Sequence, residues 1–214
     1  SAMRMRRKKH REQRLDNCSD YIIPNITDYK NDIKSIFPNK RKPLHIEIGC
    51  GKGSFVCGMA KLLPNVNFLA IEKNSDVLLM AAEKIKNENL KNVKFVRGDA
   101  AFLNEFDSKT KCDRIYINFC DPWHKSGHKK RRLTYKTFLE MYKKLLKRGG
   151  ELHFKTDNAP LFEFSLNSFA DFGLRLKNIT LDLHKSGFEN NVVTEYEKAF
   201  SDKGQPIYRC EAKF

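Results

Sequence analysis

The sequence lacks the features of a secreted or membrane-inserted protein. It contains no apolar run of the roughly 18 residues that a transmembrane helix requires, and no apolar stretch near its start that would serve as a secretory signal. Its six cysteines form no CxxC pair, so neither a structural zinc site nor disulfides are expected. We therefore expect a cytoplasmic protein that crosses no membrane and binds no metal.

Acidic residues are scarce relative to basic ones. The 214 residues include 41 lysines and arginines against 26 aspartates and glutamates, which gives a formal net charge of +15. This excess predicts an anionic partner, with nucleic acid favoured. Residues 4–14 contain seven basic side chains and residues 125–132 contain five. We expect both clusters to contact phosphates, and a solvated tail or loop is the alternative for each.

The length of the chain fits one α/β domain. Residues 1–20 are polar and are expected to form a flexible basic arm, with residues 1–2 a cloning remnant ahead of Met3; residues 21–214 are expected to form a single domain. Strands are predicted at residues 44–48, 66–71, 93–96, 114–119, 151–155, 175–183 and 207–214. Helices are predicted at residues 54–63, 75–88, 135–146 and 160–172. This alternation predicts a Rossmann-like α/β fold, with a mostly parallel seven-stranded sheet and helices on both faces.

A glycine-rich turn at residues 49–53 follows the first predicted strand. Gly49 and Gly51 would let a ligand approach the backbone closely. The dinucleotide fingerprint would need another glycine at position 54, where Ser54 stands. Glu47, two residues before the first glycine, suits a ligand with a positive end better than a pyrophosphate. S-adenosylmethionine has such an end, with an ammonium and a sulfonium, and is the predicted cofactor.

Further acids follow the next two predicted strands. Glu72 ends the second strand, where a carboxylate can accept hydrogen bonds from both ribose hydroxyls. Asp99 and Ala100 end the third strand, where an acid can accept from the adenine amino group. Each acid alone could be an ordinary helix cap. Three acids at successive strand ends, beside a glycine turn, predict a cofactor cleft.

The candidate catalytic residue follows the fourth predicted strand, in Phe119-Cys120-Asp121-Pro122-Trp123. Pro122 restricts the backbone around Asp121, so we expect a carboxylate held at the strand end, facing the cofactor's methyl group. Trp123 is the only tryptophan. Its ring offers a surface on which a base could stack, or it anchors the core.

Residues 118–133, taken with Glu47-Ile48-Gly49, resemble the bacterial tRNA (guanine-N7)-methyltransferases, whose signature reads approximately F-x-D-P-W-x-K-x-x-H-x-K-R-R-L. This sequence matches the signature at Phe119, Asp121, Pro122, Trp123, Lys125, His128, Lys130, Arg131, Arg132 and Leu133. Two later motifs of the family are matched by Lys155-Thr156-Asp157 and Thr194-Glu195-Tyr196-Glu197. Cys120 replaces the usual proline or serine and His124 the usual proline, which bears on the rigidity of the loop.

The resemblance implies a class I methyltransferase fold, S-adenosylmethionine as cofactor, and N7 of a tRNA guanine (position 46, in the variable loop) as the methyl acceptor. It implies that Asp121 is catalytic and also contacts the cofactor. Substrate contacts are expected from Lys125, Asp157, Thr194, Glu195, Tyr196 and Glu197, and RNA-backbone contacts from Lys129, Lys130, Arg131 and Arg132. Asp157 and Glu197 are expected to accept from guanine N1–H and its amino group. No obligate protein partner is expected, and monomer versus homodimer stays open.

Other functions remain as alternatives. A Cys120 thiolate could add to C6 of a pyrimidine before C5 methylation, although cysteines with that role usually follow a proline and this one precedes Asp121-Pro122. A methyltransferase for proteins or small molecules is disfavoured by the two basic clusters. An idle RNA-binding module of the same fold is disfavoured by the intact acids at positions 47, 72, 99 and 121. Oxidoreduction is the weakest alternative, because of Ser54.

Overall fold

A seven-stranded sheet is the central element of the computed structural model, which describes the backbone of residues 2–214 and the side chains of residues 10–214. The strands are β1 (Leu44–Ile48), β2 (Asn67–Glu72), β3 (Val93–Arg97), β4 (Cys112–Asn118), β5 (Leu146–Thr156), β6 (Arg175–Thr180) and β7 (Tyr208–Lys213). Their order is β3-β2-β1-β4-β5-β7-β6, and β7 alone runs antiparallel to both of its neighbours. The predicted Rossmann-like fold is confirmed.

Helices cover both faces of the sheet. They are α1 (Ala2–Asn17), α2 (Ser54–Leu62), α3 (Ser75–Asn87), α4 (Lys136–Leu145), α5 (Ala159–Asp171) and α6 (Glu195–Asp202). Alternate residues of β2 point to opposite faces: Phe68 and Ala70 pack in a cluster with α2 and α3, whereas Leu69 and Ile71 pack in a cluster with α4 and α5. Among residues 2–214, no helix has the length and apolar character that a membrane crossing needs.

The largest departure from the predicted elements lies between α4 and β5. The predicted helix at residues 135–146 ends at Leu145 as expected, but Gly149 and Gly150, which lay between the predicted helix and strand, belong to β5. Cys112 pairs with Leu146 and Arg114 with Glu151, so extra residues of β5 form a bulge opposite β4. Gly149 has φ +77°, a left-handed conformation that glycine adopts without strain, and this permits the bulge.

The basic segment expected to be a flexible arm is helical in this structure. Its Arg14 guanidinium forms an ion pair with Glu83 of α3, and Arg11 pairs with Asp76 at 3.1 Å. Leu15 packs against the cluster formed by α2 and α3, and Cys18 just after α1 is buried in it. These contacts give the C-terminal half of α1 a fixed position on α3. Ser1 lies outside the described residues.

Candidate active site

Two adjoining cavities open at the carboxyl ends of the parallel strands. One, of about 560 Å³, is lined by Glu72, Asp99, Ala100, Asp121 and Trp123 among others. The other, of about 510 Å³, is lined by residues that include Glu47, Gly51, Lys52, Thr194, Glu195 and Tyr196. Gly49, Asn118 and Phe119 line both cavities. The structure therefore brings the acids of four successive strand ends to one cleft, as parallel strands of this topology require.

Glu47 is a buried carboxylate with one unused oxygen. The residue is only 2% exposed to solvent. Oε2 accepts a hydrogen bond from Asn118 Nδ2 at 3.0 Å, while Oε1 has no partner among the residues the structure describes. Burial raises the pKa of Glu47 to about 8, against the smaller lowering effects of Asn118 and Lys155. An unpaired buried acceptor costs about 1–3 kcal/mol, and a cationic ligand would remove this cost. The ammonium of S-adenosylmethionine fits this position.

The glycine turn leaves open space beside Glu47. Gly49 and Gly51 have φ of +76° and +54°, and no described atom lies within 4 Å of the position that a Cβ would take on either residue. A ligand can therefore lie against this backbone. Gly53 has a different role, because a Cβ there would lie 2.9 Å from the Cβ of Ala81. It allows α2 and α3 to pack closely.

Glu72 and Asp99 each accept hydrogen bonds from the backbone. Glu72 accepts from Gly51 N at 3.1 Å and from Asn74 N at 2.8 Å, and Asp99 accepts from Ala101 N at 2.9 Å. Asp99 therefore has the capping role considered from the sequence, at the start of a 3₁₀ helix, whereas α3 is capped by Asn74 and not by Glu72. A carboxylate has about four lone-pair sites, so each residue can still accept from a ligand. Both line the larger cavity.

The loop after β4 contains two non-glycine residues in the left-handed region, Phe119 with φ +55° and Trp123 with φ +49°. Such conformations cost of order 1–3 kcal/mol each and persist where the surroundings enforce them. Arg132 enforces the second one: its Nε donates to Pro122 O at 3.1 Å and its Nη2 to Trp123 O at 3.0 Å. Between these residues, the Asp121 side chain is 69% exposed, with Lys73 Nζ 4.0 Å from its Oδ2.

The basic residues at positions 125–132 have three different surroundings. Lys130 and Arg131 line the larger cavity, and the Arg131 guanidinium lies 5.1 Å from the centre of the Trp123 ring. Lys125 and Lys129 are exposed on the 3₁₀ helix Ser126–Arg131 and its N-cap. Arg132 is directed inward, where its guanidinium also covers the Phe164 ring at 4.5 Å. Its hydrogen bonds to the loop make it a positioning residue rather than a phosphate contact.

Glu197 occupies a position that differs from the sequence-based prediction. It is 0% exposed, and its Oε1 lies 2.9 Å from Lys155 Nζ. Its Oε2 accepts from Asn191 Nδ2 at 3.2 Å, and Thr194 Oγ1 accepts from its backbone N–H at 3.2 Å. A base cannot reach this carboxylate in the present arrangement, because Lys155 and Asn191 already occupy it. The pairing of Lys155 with Glu197 was not predicted, although both residues belong to the motifs singled out.

Thr194, Glu195 and Tyr196 line the smaller cavity, and Asp157 neighbours Tyr196. Thr194 and Asp157 are half-buried, whereas Glu195 and Tyr196 are exposed. Partial burial and the neighbouring Asp157 carboxylate raise the pKa of Tyr196, whose ring centre lies 4.8 Å from that of Phe119. Asp157 therefore lies near the wall of the smaller cavity, where an acceptor could meet a base edge.

Cys120 does not have the properties of a nucleophile. Burial raises the pKa of its thiol to about 12, with a further contribution from the Asp121 charge. Attack on a pyrimidine requires a thiolate, and at neutral pH this group stays protonated. The chemistry of the site therefore opposes the C5-methylation alternative.

Comparisons with known proteins agree with this geometry. A family model described as "Putative methyltransferase" matches residues 41–210. The tRNA (guanine-N(7)-)-methyltransferase of Streptococcus uberis is 50% identical over 212 residues, covering 99% of this chain and 100% of the relative. The enzyme of the same name from Streptococcus agalactiae is 47% identical over the same shares.

Solved structures show the fold independently of close sequence similarity. An antibiotic-related methyltransferase aligns with a TM-score of 0.60 at 19% identity, over 91% of this chain and 96% of that chain. The 16S rRNA methyltransferase KamB aligns with a TM-score of 0.59 at 11% identity, over 81% and 88%. With the full-length relatives and the carboxylate-lined cleft, these findings establish that the chain belongs to the S-adenosylmethionine-dependent tRNA (guanine-N(7)-)-methyltransferase family.

Proposed function

We propose that this chain methylates N7 of guanine 46 in the variable loop of tRNA. The observation that carries the proposal is the position of Asp121. Its carboxylate is exposed, on the strained loop after β4, and it lines the same cavity as Glu72, Asp99, Lys130 and Arg131. The choice of substrate is supported by the tRNA (guanine-N(7)-)-methyltransferases of the two streptococci, which match 99% of this chain. We further propose that the chain acts in the cytoplasm and needs no second protein subunit.

The cofactor would be held by four groups of this chain. Glu47 Oε1 would accept from its ammonium, and Gly49 and Gly51 leave room for it along the backbone. Glu72 would accept from the ribose hydroxyls, and the segment at Asp99 and Ala100 would contact the adenine. When bound, S-adenosylmethionine supplies a methyl group on a sulfonium.

The residues around the acceptor base have little proton chemistry to perform. N7 of guanine carries a free lone pair, so catalysis consists of positioning and electrostatics. Methylation leaves positive charge on the base, and the Asp121 carboxylate would stabilise that charge as it develops. Asp157 would accept from guanine N1–H and the amino group, and so reject adenine. Trp123, under the Arg131 guanidinium, offers a surface for an extruded base.

Glu197 takes a positioning role in this proposal. It holds the Lys155 ammonium, which also donates to Asn191 Oδ1 at 3.1 Å and to Val192 O at 3.3 Å. These bonds connect the end of β5 to the segment that precedes Thr194. Thr194, Glu195 and Tyr196 would thereby be placed at the wall of the cleft for contact with the substrate.

The basic rim would hold the polyanion. Lys125, Lys129, Lys130 and Arg131 would contact phosphates, while Arg132 keeps the catalytic loop in its left-handed conformation. Binding through several phosphates should weaken steeply with added salt. A flat dependence of tRNA affinity on salt concentration would contradict the role of the rim.

The test is methylation of an unmodified tRNA transcript with labelled S-adenosylmethionine by the purified chain alone. Nucleoside mass spectrometry should detect 7-methylguanosine, mapped to one position; 5-methylcytidine, or a requirement for an added protein, would overturn the proposal. Asp121→Asn should lower methyl transfer by about 100-fold or more, with calorimetric cofactor affinity almost unchanged. Asp171→Asn, an exposed change at the end of α5, is the matched control and should behave like the unaltered protein.

A further inference from the structure

Helix α1 runs side by side with α3 and in the same direction. Arg11 pairs with Asp76 in the first turn of α3, Arg14 pairs with Glu83, and Lys86 Nζ donates to Asn17 O at 2.6 Å. The contacts therefore advance along both helices together. Since α3 starts at Ser75, three residues after β2 ends at Glu72, its first turn lies at the carboxyl edge of the sheet. The N-terminal half of α1 is thus directed toward the edge that carries the cleft.

This half of α1 continues past its last contact with α3. The helix begins at Ala2, so nine residues precede Arg11. At about 1.5 Å per residue, their backbone extends about 13 Å beyond the level of the first turn of α3. Residues 4–9 read Arg-Met-Arg-Arg-Lys-Lys, so five of these six positions are basic. The backbone of this basic stretch therefore extends past the first turn of α3, toward the edge where the cleft opens.

Basic residues line the larger cavity on two sides. Lys130 and Arg131 of the 3₁₀ helix line it on the side of β4. Lys73, between β2 and α3, lines it on the side of α1, with Nζ 4.0 Å from Asp121 Oδ2. A polyanion that presents a base to Asp121 would pass between these elements.

We propose that α1 is a second RNA-binding wall, which Asp76 and Glu83 hold beside the cleft for contact with the phosphate backbone of the substrate RNA. This inference rests on the proposed function and adds the element that grips the RNA on the β2 side. Asp76 and Glu83 are acidic, yet they act in favour of RNA binding, because they fix the direction of a basic helix.

The sign of the effect separates this role from simple electrostatics. Removal of a negative charge from a protein surface ordinarily strengthens its binding to a polyanion. Loss of the two anchors should instead weaken binding, because an unfixed helix loses phosphate contacts. Each lost contact also reduces the slope of log affinity against log salt by about 0.7–0.9.

The experiment compares two double variants that change the net charge equally. Asp76→Asn with Glu83→Gln removes both anchors, whereas Glu88→Gln with Glu140→Gln removes two exposed acids outside the α1 contact. Affinity for unmodified tRNA would be measured by fluorescence anisotropy over a range of salt. We expect the anchor variant to bind about 5–20-fold more weakly, with a flatter salt slope, and the control to bind equally or more tightly. Equal or tighter binding by the anchor variant would overturn the inference.

A charge exchange keeps the test decisive if the anchor variant folds poorly. Arg14→Glu alone should weaken tRNA binding, and Arg14→Glu with Glu83→Arg should restore most of it, because the ion pair re-forms in reverse at the original net charge. No recovery in a variant with an unchanged melting temperature would contradict the role of the anchor. Cofactor affinity by calorimetry should stay constant throughout. Failure of the proposed function would instead appear as absence of 7-methylguanosine from the unaltered protein, whatever the affinities.

Discussion

A row of four paired residues on neighbouring strands begins and ends with a buried glutamate. Strand register places Glu47 of β1 beside Tyr116, Tyr116 beside His153, and His153 beside Glu211 of β7. Both glutamates are almost fully buried, and both belong to the same polar face of the sheet. Their surroundings differ. Among the described residues, Glu47 Oε1 has no hydrogen-bond partner, whereas both carboxylate oxygens of Glu211 have one.

At the β7 end, every acceptor has a donor. Glu211 Oε2 accepts from Arg209 Nη1 at 2.7 Å and its Oε1 from Asn178 Nδ2 at 2.9 Å. Arg209 Nη2 lies 3.1 Å from His153 Nδ1, and a guanidinium can only donate, so Nδ1 accepts. The proton of His153 then resides on Nε2, which donates to Glu151 Oε1 at 3.0 Å. Both carboxylate oxygens of Glu211 therefore have donors without a ligand.

The difference separates structural from ligand-binding carboxylates. Glu151, His153 and Glu211 have a spacing that could hold a metal ion, but the Nε2 proton of His153 and the bonds from Arg209 occupy these ligand atoms. Glu47 has no comparable set of donors, and its Oε1 is open to a cationic donor from a ligand. Burial alone therefore does not identify a site; the unused acceptor does.

Glu47→Gln should produce the largest change in cofactor binding. The amide cannot balance a buried ammonium, and loss of one partner of a buried charge pair costs about 3–5 kcal/mol, so affinity for S-adenosylmethionine should fall about 1000-fold. The ligand-free protein should be no less stable, because an unpaired buried carboxylate has been removed. Calorimetry and thermal unfolding measure the two effects. If Glu47→Gln kept its affinity for S-adenosylmethionine, the unused oxygen of Glu47 would not distinguish a ligand-binding carboxylate from a structural one.

Glu211→Gln should show the reverse pattern. The substitution removes the charge that balances the buried Arg209 guanidinium, so the free energy of unfolding should fall by about 2–4 kcal/mol. Cofactor affinity should stay within about threefold, since the contacts at Glu47 are separate from this network. Urea unfolding and calorimetry would be run on this variant together with Glu47→Gln. Equal losses of cofactor affinity in both would show that the row acts as one unit.

Arg132 and Lys129 extend the comparison to cations, because one is directed inward and the other is exposed. Arg132→Gln removes the donors to Pro122 O and Trp123 O, so turnover should fall about 10-fold while tRNA affinity changes less.

Lys129→Gln removes an exposed charge, so tRNA affinity should fall and the salt slope should decrease by about 0.7–0.9, with turnover at saturating tRNA retained. The measurement is kcat and KM for tRNA in each variant. A purely KM effect of Arg132→Gln would make it a phosphate contact after all.

The sequence predicted the part of the site that depends on strand ends. Apolar stretches that end in Glu47, Glu72, Asp99 and Asp121 identify neighbouring parallel strands, and parallel strands bring their carboxyl ends to one edge. The fold, the cofactor and the family predicted from these motifs are confirmed. This part was accessible because each residue is fixed by the strand that precedes it.

The parts that were missed depend on pairing between distant segments. Glu197 was predicted to accept hydrogen bonds from the guanine base. The sequence does not show that Lys155 of β5 pairs with it instead. Arg132 was grouped with its basic neighbours, although its guanidinium turns back to the loop it follows. The docking of the N-terminal segment on α3 likewise depends on Arg14 meeting Glu83. Local periodicity carries no information on such partners.

The pH dependence of stability should have opposite signs for the two classes of carboxylate. Burial raises the pKa of Glu47 from its ordinary 4.5 to about 8. Its contribution to stability is therefore fully present below pH 4.5 and is lost as the pH rises through 8. Glu151 is the opposite case: burial would raise its pKa, but hydrogen bonds from Lys177 and His153 lower it to about 2. Its contribution is present above pH 4.5 and is lost as the pH falls through 2.

Variants at these two positions should expose this difference in ligand-free protein. Between pH 5 and 8, Glu47→Gln should gain stability relative to the unaltered chain by up to about 1 kcal/mol per pH unit, since it has no carboxylate to ionise in the interior. Glu151→Gln should be destabilised at pH 6, and this deficit should shrink as the pH falls toward 3, where the native carboxylate loses its advantage. Urea unfolding over this range measures both slopes. Parallel slopes for the two variants would mean that the unused oxygen of Glu47 is satisfied in solution, and the contrast between the two ends of the row would then have no physical basis.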